Sequence, residues 1–213
     1  AATPPPTCAT DMPLRNRVDP FGAIQAVPSR GLIYGNRGGR FHRDDRTLKT
    51  RPWASPQWLC CVLDFKNRRR APLMGRGYTE LFFLDEVTAL AAGHRPCFEC
   101  RRTAATAFAA AWAKAKGLTV PPKAPAMDIA LHAERLAGTE VRLPLESLPD
   151  GAMIAAGDRA LAVRGAHLLP WSFAGYSPAE PRGTGPATVL TPPSTLAALG
   201  AGYRPIWHPT ADA

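Results

Sequence analysis

No apolar run in the 213 residues approaches the roughly 20 consecutive positions that a helix needs to span a bilayer, so no helical membrane anchor is expected. The opening "AATPPPTCAT" has no apolar core segment, so no secretory signal is expected either. There is no Gly-rich phosphate loop, no nucleophile elbow and no dinucleotide fingerprint, which removes the enzyme classes built on them. Cysteine is scarce. The five present are an odd number and clustered, not spread as a disulfide framework, which points to reduced thiols and a cytoplasmic protein. Acids are also short: 17 against 26 Lys and Arg, a net charge of +9. That excess favours a polyanionic partner, with nucleic acid first among them.

What remains suffices for a core, with hydrophobic residues at 46%. Residues 1–13, rich in Pro, Thr and Ala, are expected to be disordered, with Cys8 a bystander. "RGLIYGNRGGRFHRDD" predicts a hairpin: Leu32 to Tyr34 rising, Gly35–Gly39 turning, Phe41 and His42 returning. Strands follow over Trp58–Phe65 and in "YTELFFL". Asp85 is placed to cap a helix over Glu86–Ala92 that Gly93 stops. "TAATAFAAAWAKAKG" and "AMDIALHAERLAG" are helices; from Val141 the pattern turns to short strands until a last helix ends near Leu199. The reading is an α+β protein: a domain over 14–120 and a β-rich part over 121–213 packed on it. Trp171 and Tyr176 belong to the core or to a groove lip of that second part.

One phrase occurs twice. Shifting the chain by 109 positions lays "YTELFFLDEVTALAAGHRP" on "ATVLTPPSTLAALGAGYRP". Gly93 falls on Gly202, Arg95 on Arg204, Pro96 on Pro205, and the expected caps Asp85 and Ser194 coincide. The expected unit is strand, capped helix, Gly stop, then ring-Arg-Pro turning the chain away. Only the first copy continues into Cys97-Phe98-Glu99-Cys100.

Two thiols at Cys-x-x-Cys spacing can share one Zn²⁺, which takes four ligands tetrahedrally with sulfur at about 2.3 Å. Arg95, Arg101 and Arg102 flank the pair and are expected to favour thiolate. Cys60 and Cys61 are adjacent in a strand and face opposite ways, so only one can join. Cys61 is preferred, in line with Leu63 and Phe65, and Cys60 is the alternate. His42 is the choice for the fourth ligand, ahead of His94, whose alignment with Tyr203 points to a packing ring, and of His132 and His167. A closed Cys₃His shell of this kind is mainly structural.

"FFLDEVTALAAGHRPCFECRR", and more loosely Trp58 to Arg102, resembles the second half of the Ada-type zinc-binding domain. The resemblance implies zinc, DNA binding, a link to repair, and a zinc thiolate that accepts methyl from a phosphotriester, with Cys61 as the acceptor expected here. Cys97 and Cys100 match that family's second Cys pair. Its first pair, spaced Cys-x-x-x-Cys, has only the adjacent Cys60-Cys61 as counterpart here. "GNRGGRFH", "YTELFFLDE" and "TPPSTLAAL" resemble a bacterial protein group, a likeness that implies no activity.

Lys66, Arg68, Arg69 and Arg70, with Arg76, Arg95, Arg101 and Arg102, are expected on one phosphate-contacting face, and Arg37 and Arg40 on the hairpin beside it. DNA is expected in preference to RNA. Trp53 and Trp58 bracket this region. A second expectation is hydrolytic. On a helix Asp128 and His132 stand at i and i+4 with Glu134 near, an arrangement in which a carboxylate orients a general base for a metal-dependent hydrolase or nuclease.

Overall fold

The structure, a computed structural model, describes residues 13–67, 72–138 and 141–212. The expected disordered segment therefore lies almost wholly outside the described residues, as do Cys8, Arg68, Arg69 and Arg70.

The chain order is β1 (Arg17–Val18), β2 (Ile24–Gln25), β3 (Ile33–Arg37), β4 (Trp58–Val62), β5 (Leu81–Phe83), α1 (Glu86–Ala91), β6 (Arg95–Pro96), α2 (Arg102–Ala115) and α3 (Ala124–Ala137). After these come β7 (Arg142–Pro144), β8 (Met153–Ala156), β9 (Arg159–Arg164), β10 (His167–Ser172), β11 (Gly175–Tyr176), β12 (Glu180–Pro181), β13 (Pro186–Val189) and α4 (Pro193–Gly200). This is an α+β fold. Among the described residues the first six strands form a mixed sheet, ordered β2-β1-β5-β3-β4-β6, in which β1–β5 and β4–β6 run parallel. The last seven form an antiparallel sheet, β11-β10-β9-β8-β13-β7, with β12 on β10. No described helix is long and apolar enough to cross a membrane.

The expected hairpin at Gly35–Gly39 is corrected. Gly35 and Asn36 lie inside β3, which pairs with β4 and β5 and not with Phe41–His42. Gly35 is there for closeness: a Cβ would run into the Leu59 carbonyl and the Phe83 ring. The turn comes later, at Gly38 and Gly39, both at positive φ.

The six residues of α1 are all buried, and the helix touches three cores. Val87 and Ala91 pack with Met153 and Leu169 of the antiparallel sheet. Ala89 and Ala92 pack with Ile33, Leu81 and Phe83 of the mixed sheet. Leu90 meets Phe108, Leu131 and Leu199 from the longer helices. Full burial of Val87 and Leu90 contributes about 1.5–3 kcal/mol each.

A helix so enclosed needs partners for its first-turn amides. Asp85 accepts from Thr88 N at 2.9 Å, from Tyr176 Oη at 2.8 Å and from His208 N at 3.0 Å. Glu86 accepts from Arg101 and Tyr203 Oη, both at 2.6 Å, and from Ile206 N at 2.8 Å. The C-terminal segment thus wraps the start of α1.

The repeated phrase ends both helices alike. Gly93 N donates to Leu90 O at 2.9 Å and His94 N to Ala89 O at 2.9 Å; Gly202 N donates to Leu199 O and Tyr203 N to Ala198 O, both at 3.0 Å. Both glycines have positive φ, 81° and 112°. The beginnings differ. Ser194 is not the cap: it lies within α4, whose N-cap position is Pro192. The Glu134 carboxylate of α3 accepts from both the amide and the hydroxyl of Ser194, capping α4 from outside.

Candidate metal centre

The centre is assembled by strand register. Successive residues of β4 face opposite sides. Cys60 turns to the apolar cluster of Phe41, Leu81 and Phe83. Cys61 turns the other way, to Tyr34, Phe82 and Cys97. β6 lies parallel to β4, pairing Leu59 with Arg95 and Cys60 with Pro96, and Cys97 N extends the contact by donating to Cys60 O at 3.1 Å. Cys97 therefore arrives beside Cys61. The chain then turns, with Arg101 N donating to Cys97 O at 3.0 Å and Glu99 N to Cys97 Sγ at 3.4 Å, and this brings Cys100 back to the pair.

The Sγ atoms of Cys61, Cys97 and Cys100 lie within 4.8 Å of one another. Tetrahedral zinc holds its sulfurs about 3.8 Å apart, so the trio needs at most a small contraction to bind one ion. Hydrogen bonds from Cys100 and then Cys61 hold the Cys97 thiol far below its ordinary range. The Cys61 thiol is raised by its bonds to Cys100 and Cys97 and by burial. The flanking arginines, expected to favour thiolate here, are not among the larger causes. Arg101 donates to Cys60 Sγ at 3.2 Å and to Glu86, and Arg95 is held by Asp128. One favoured thiolate among three converging sulfurs is a donor set suited to a soft divalent cation such as zinc. Cys60 serves differently: burial first, then Glu86, pushes its thiol up.

His42, expected as the fourth ligand, is not with them. It is buried, with Nδ1 2.7 Å from Thr79 Oγ1 and Nε2 2.8 Å from the Gly75 carbonyl, so both ring nitrogens tie loops together. Among the described residues no histidine, cysteine or carboxylate joins the trio as a fourth. The three cysteines instead open on a cleft of about 720 Å³, also lined by Tyr34, Asn36, Gln57 and Tyr78. The shell is not the closed one expected: its remaining side faces that cleft.

The expected basic face divides. Arg37, Arg95 and Arg101 are 1%, 2% and 7% exposed, so none presents its guanidinium on the surface to a nucleic-acid backbone. Arg95 makes a two-point ion pair with Asp128, Nε to Oδ1 and Nη2 to Oδ2 at 2.7 Å each. Lys66 and Arg102 are exposed, and Arg40 is partly exposed and paired with Asp44. A second cleft of about 650 Å³, holding Arg40, Arg46 and Arg76, shares Tyr34 and Tyr78 with the cysteine cleft.

The expected hydrolytic group is dispersed. Asp128 belongs to Arg95, Glu134 to Ser194, and His132 stands edge-on to Trp53 with its Nδ1 3.4 Å from Arg135. The i, i+4 spacing placed Asp128 and His132 on one side of α3 but could not show which neighbours would claim them. Tyr78, at 57% exposure between the two clefts, was missed. Its signal was an aromatic ring set among Gly and Arg in "MGRGY". His94, by contrast, is the packing ring expected from its alignment with Tyr203: its centroid is 4.6 Å from that of Phe83 and 5.1 Å from that of Trp58.

No protein-family model, curated protein or solved structure matches this chain, so the likeness of Trp58–Arg102 to the Ada-type domain rests on the residue pattern alone.

Proposed function

We propose that the chain is a zinc protein that binds nucleic acid, DNA in preference to RNA, across the two joined clefts. The observation that carries this reading is the junction itself. Three metal-competent sulfurs open on one cleft, three arginines line the next, and an exposed tyrosine stands between them. In this reading Arg40, Arg46 and Arg76 contact phosphates, with Lys66 and Arg102 at the margin, and Tyr78 stacks on a base. The net charge of +9 draws the polyanion in. Zinc thiolates favour a reducing compartment, in keeping with a cytoplasmic protein. Zinc clips β6 to β4 and so holds the wall of the cleft.

The test is DNA binding measured against salt, alongside metal content. One equivalent of zinc and a steep fall of affinity with salt support the reading. Arg76→Ala should reduce the salt slope by about 1, and Tyr78→Ala should weaken single-stranded DNA by about 1–3 kcal/mol. Binding that ignores salt and both substitutions rejects it.

A second reading is favoured by the open side of the metal site. A zinc-bound thiolate reached from a cleft can accept an alkyl group, as in the Ada-type domain that Trp58–Arg102 resembles, and this is the basis for a link to repair. Cys61, which lines that cleft with Cys97 and Cys100, is the acceptor in this reading. Mass spectrometry after exposure to methyl-phosphotriester DNA should then find one methyl on one cysteine. An unmodified chain leaves zinc with its clipping role alone.

A further inference from the structure

Away from the cysteines, a partly open cavity of about 230 Å³ lies where α3, the end of β13 and the loop before β4 meet. Its walls include Trp53, Trp58, Leu190 and Pro192, and two arginines, Arg37 and Arg135, line it as well. Both guanidiniums lie over the Trp58 indole, with Cζ 4.0 Å and 4.1 Å from the ring centroid.

Arg37 is fully and Arg135 partly buried, and the fold pairs the other two buried arginines: Arg95 has Asp128 at 2.7 Å and Arg101 has Glu86 at 2.6 Å. Arg37 and Arg135 have no carboxylate within ion-pair distance among the described residues. Arg37 is 1% exposed, and its one strong hydrogen bond goes to the Gly22 carbonyl at 2.9 Å. Arg135 donates through Nε to the Gly93 carbonyl at 2.8 Å, while its Nη2 is buried without any partner.

The nearby acids are engaged elsewhere. Glu134, which also lines the cavity, is held by Ser194, Asp128 by Arg95, and Asp19 accepts from Ala23 N, so they offset only part of the effect of burial on Arg135 and Arg37. The two imidazoles add no negative charge. His94 sits against Arg37 and His132 against Arg135, each at 3.4 Å, and burial, then the adjacent arginines, lower both toward the neutral form. Burial likewise brings both arginines down to about 9, with Arg135 adding to the effect on Arg37. A buried charge without a counter-ion is costly, and two of one sign at one ring cost more.

The geometry points to a binding site for a small organic anion, a carboxylate carried on a flat apolar body, with Arg37 and Arg135 holding the charge and Trp53, Leu190 and Pro192 the body. Arginine forks match carboxylates, and indole faces match rings. The cavity is below the roughly 300–1,000 Å³ of drug-sized sites, which limits the ligand to about one ring. The site is independent of the metal centre.

The experiment is a titration of the full chain by tryptophan fluorescence and thermal unfolding, with benzoate, benzamide and inorganic phosphate as probes. Benzoate should bind saturably and raise the melting temperature, whereas benzamide, the same ring without charge, should not. Phosphate should bind at least about tenfold more weakly than benzoate, a gap of about 1.4 kcal/mol. Arg135→Gln should weaken benzoate by about tenfold or more, and Trp53→Ala, at a half-exposed wall position, should weaken it as well. Equal action by benzoate and benzamide, or by neither, overturns the assignment. So does phosphate matching benzoate, since charge alone would then decide. A benzoate response that survives Arg135→Gln and vanishes in Cys97→Ser also overturns it, by placing the carboxylate on the metal.

Discussion

The turn Gly93–Pro96 and the turn Gly202–Pro205 leave their helices by the same pair of backbone bonds, yet the residues after them do unlike work. After Pro96 the chain lies along β4 and delivers Cys97 to Cys61. After Pro205 it lies along the start of α1, where the amide and carbonyl of Ile206 bond the side chain and amide of Glu86. The arginines diverge too: Arg95 is buried against Asp128, whereas Arg204 is exposed and, among the described residues, bonds only the Tyr203 carbonyl. A helix stop of this kind supplies a direction and nothing more. What the chain meets after the turn, a parallel strand bearing a thiol or an unfilled helix N-terminus, decides whether it becomes an arm of the cysteine cluster or a brace.

Matched substitutions test that difference, and the largest effect belongs to the residues just past the prolines. If the trio holds zinc as proposed, Cys97→Ser should lose it, from about one equivalent to none by elemental analysis, and with it much of a binding energy that reaches about 10–16 kcal/mol in four-ligand zinc peptides. Its counterpart Ile206→Ser should leave metal content unchanged and shift stability by no more than about 0.5 kcal/mol, because Ile206 is half exposed and works through its backbone. Cys60→Ser should keep the zinc, since Cys60 faces the other core. Zinc retained in Cys97→Ser would remove the distinction between the two turns.

Next in size are the arginines. Asp128→Ala strands Arg95 without its partner inside the protein and should cost about 3–5 kcal/mol in urea unfolding. Arg204→Ala should cost about 0.5 kcal/mol or less. Comparable losses at the two sites would show that Arg204 has a buried role which its exposure does not suggest.

These pairs also show how far the residues could be read without coordinates. The helix stops were legible because Gly followed by ring-Arg-Pro constrains the backbone locally, and local constraint is what sequence expresses best. Cys61 over Cys60 was legible from the alternation of a strand. His42 was not, because its partners Thr79 and Gly75 lie more than thirty positions away and nothing local marks them. The buried arginines misled for a related reason. Arg95 reads as a surface cation until α3 supplies Asp128, and Arg37 until β4 lays Trp58 across it. Gly35 looked like a turn residue, but its missing Cβ admits the Leu59 carbonyl from the neighbouring strand, a cause that exists only once the sheet has formed.

The glycines come third. Both hold positive φ, so alanine is strained at either by about 1–2 kcal/mol. At Gly202 a methyl group meets open space, whereas at Gly93 it presses on the Arg135 side chain. Gly93→Ala should therefore cost about 1 kcal/mol more than Gly202→Ala by chemical denaturation, the added cost of crowding a well-packed site. It should also disturb the cavity that Arg135 lines. Equal costs would mean that Arg135 moves aside freely.

The smallest effect at neutral pH concerns the rings, His94 and Tyr203, and it emerges only in acid. Burial, then Arg37 and Arg135, hold the His94 imidazole well below its ordinary range, so the folded protein keeps it neutral where the unfolded chain protonates it. The unfolded state then binds the extra proton below about pH 6.5, and stability falls as pH drops from there toward the depressed folded value. Above about pH 6.5 both states are neutral and this contribution is fully present. Tyr203 is neutral throughout the acid range, its phenol raised by burial and by Glu86. Unfolding free energies measured at pH 7 and pH 5 should therefore show a slope shallower by up to one proton in His94→Phe than in the parent. Tyr203→Phe should lose the bond to Glu86 at both pH values and keep the parent slope. If His94→Phe kept the full slope, the ring would not be the neutral spacer that stands beside Arg37, and the two copies would differ less than their surroundings imply.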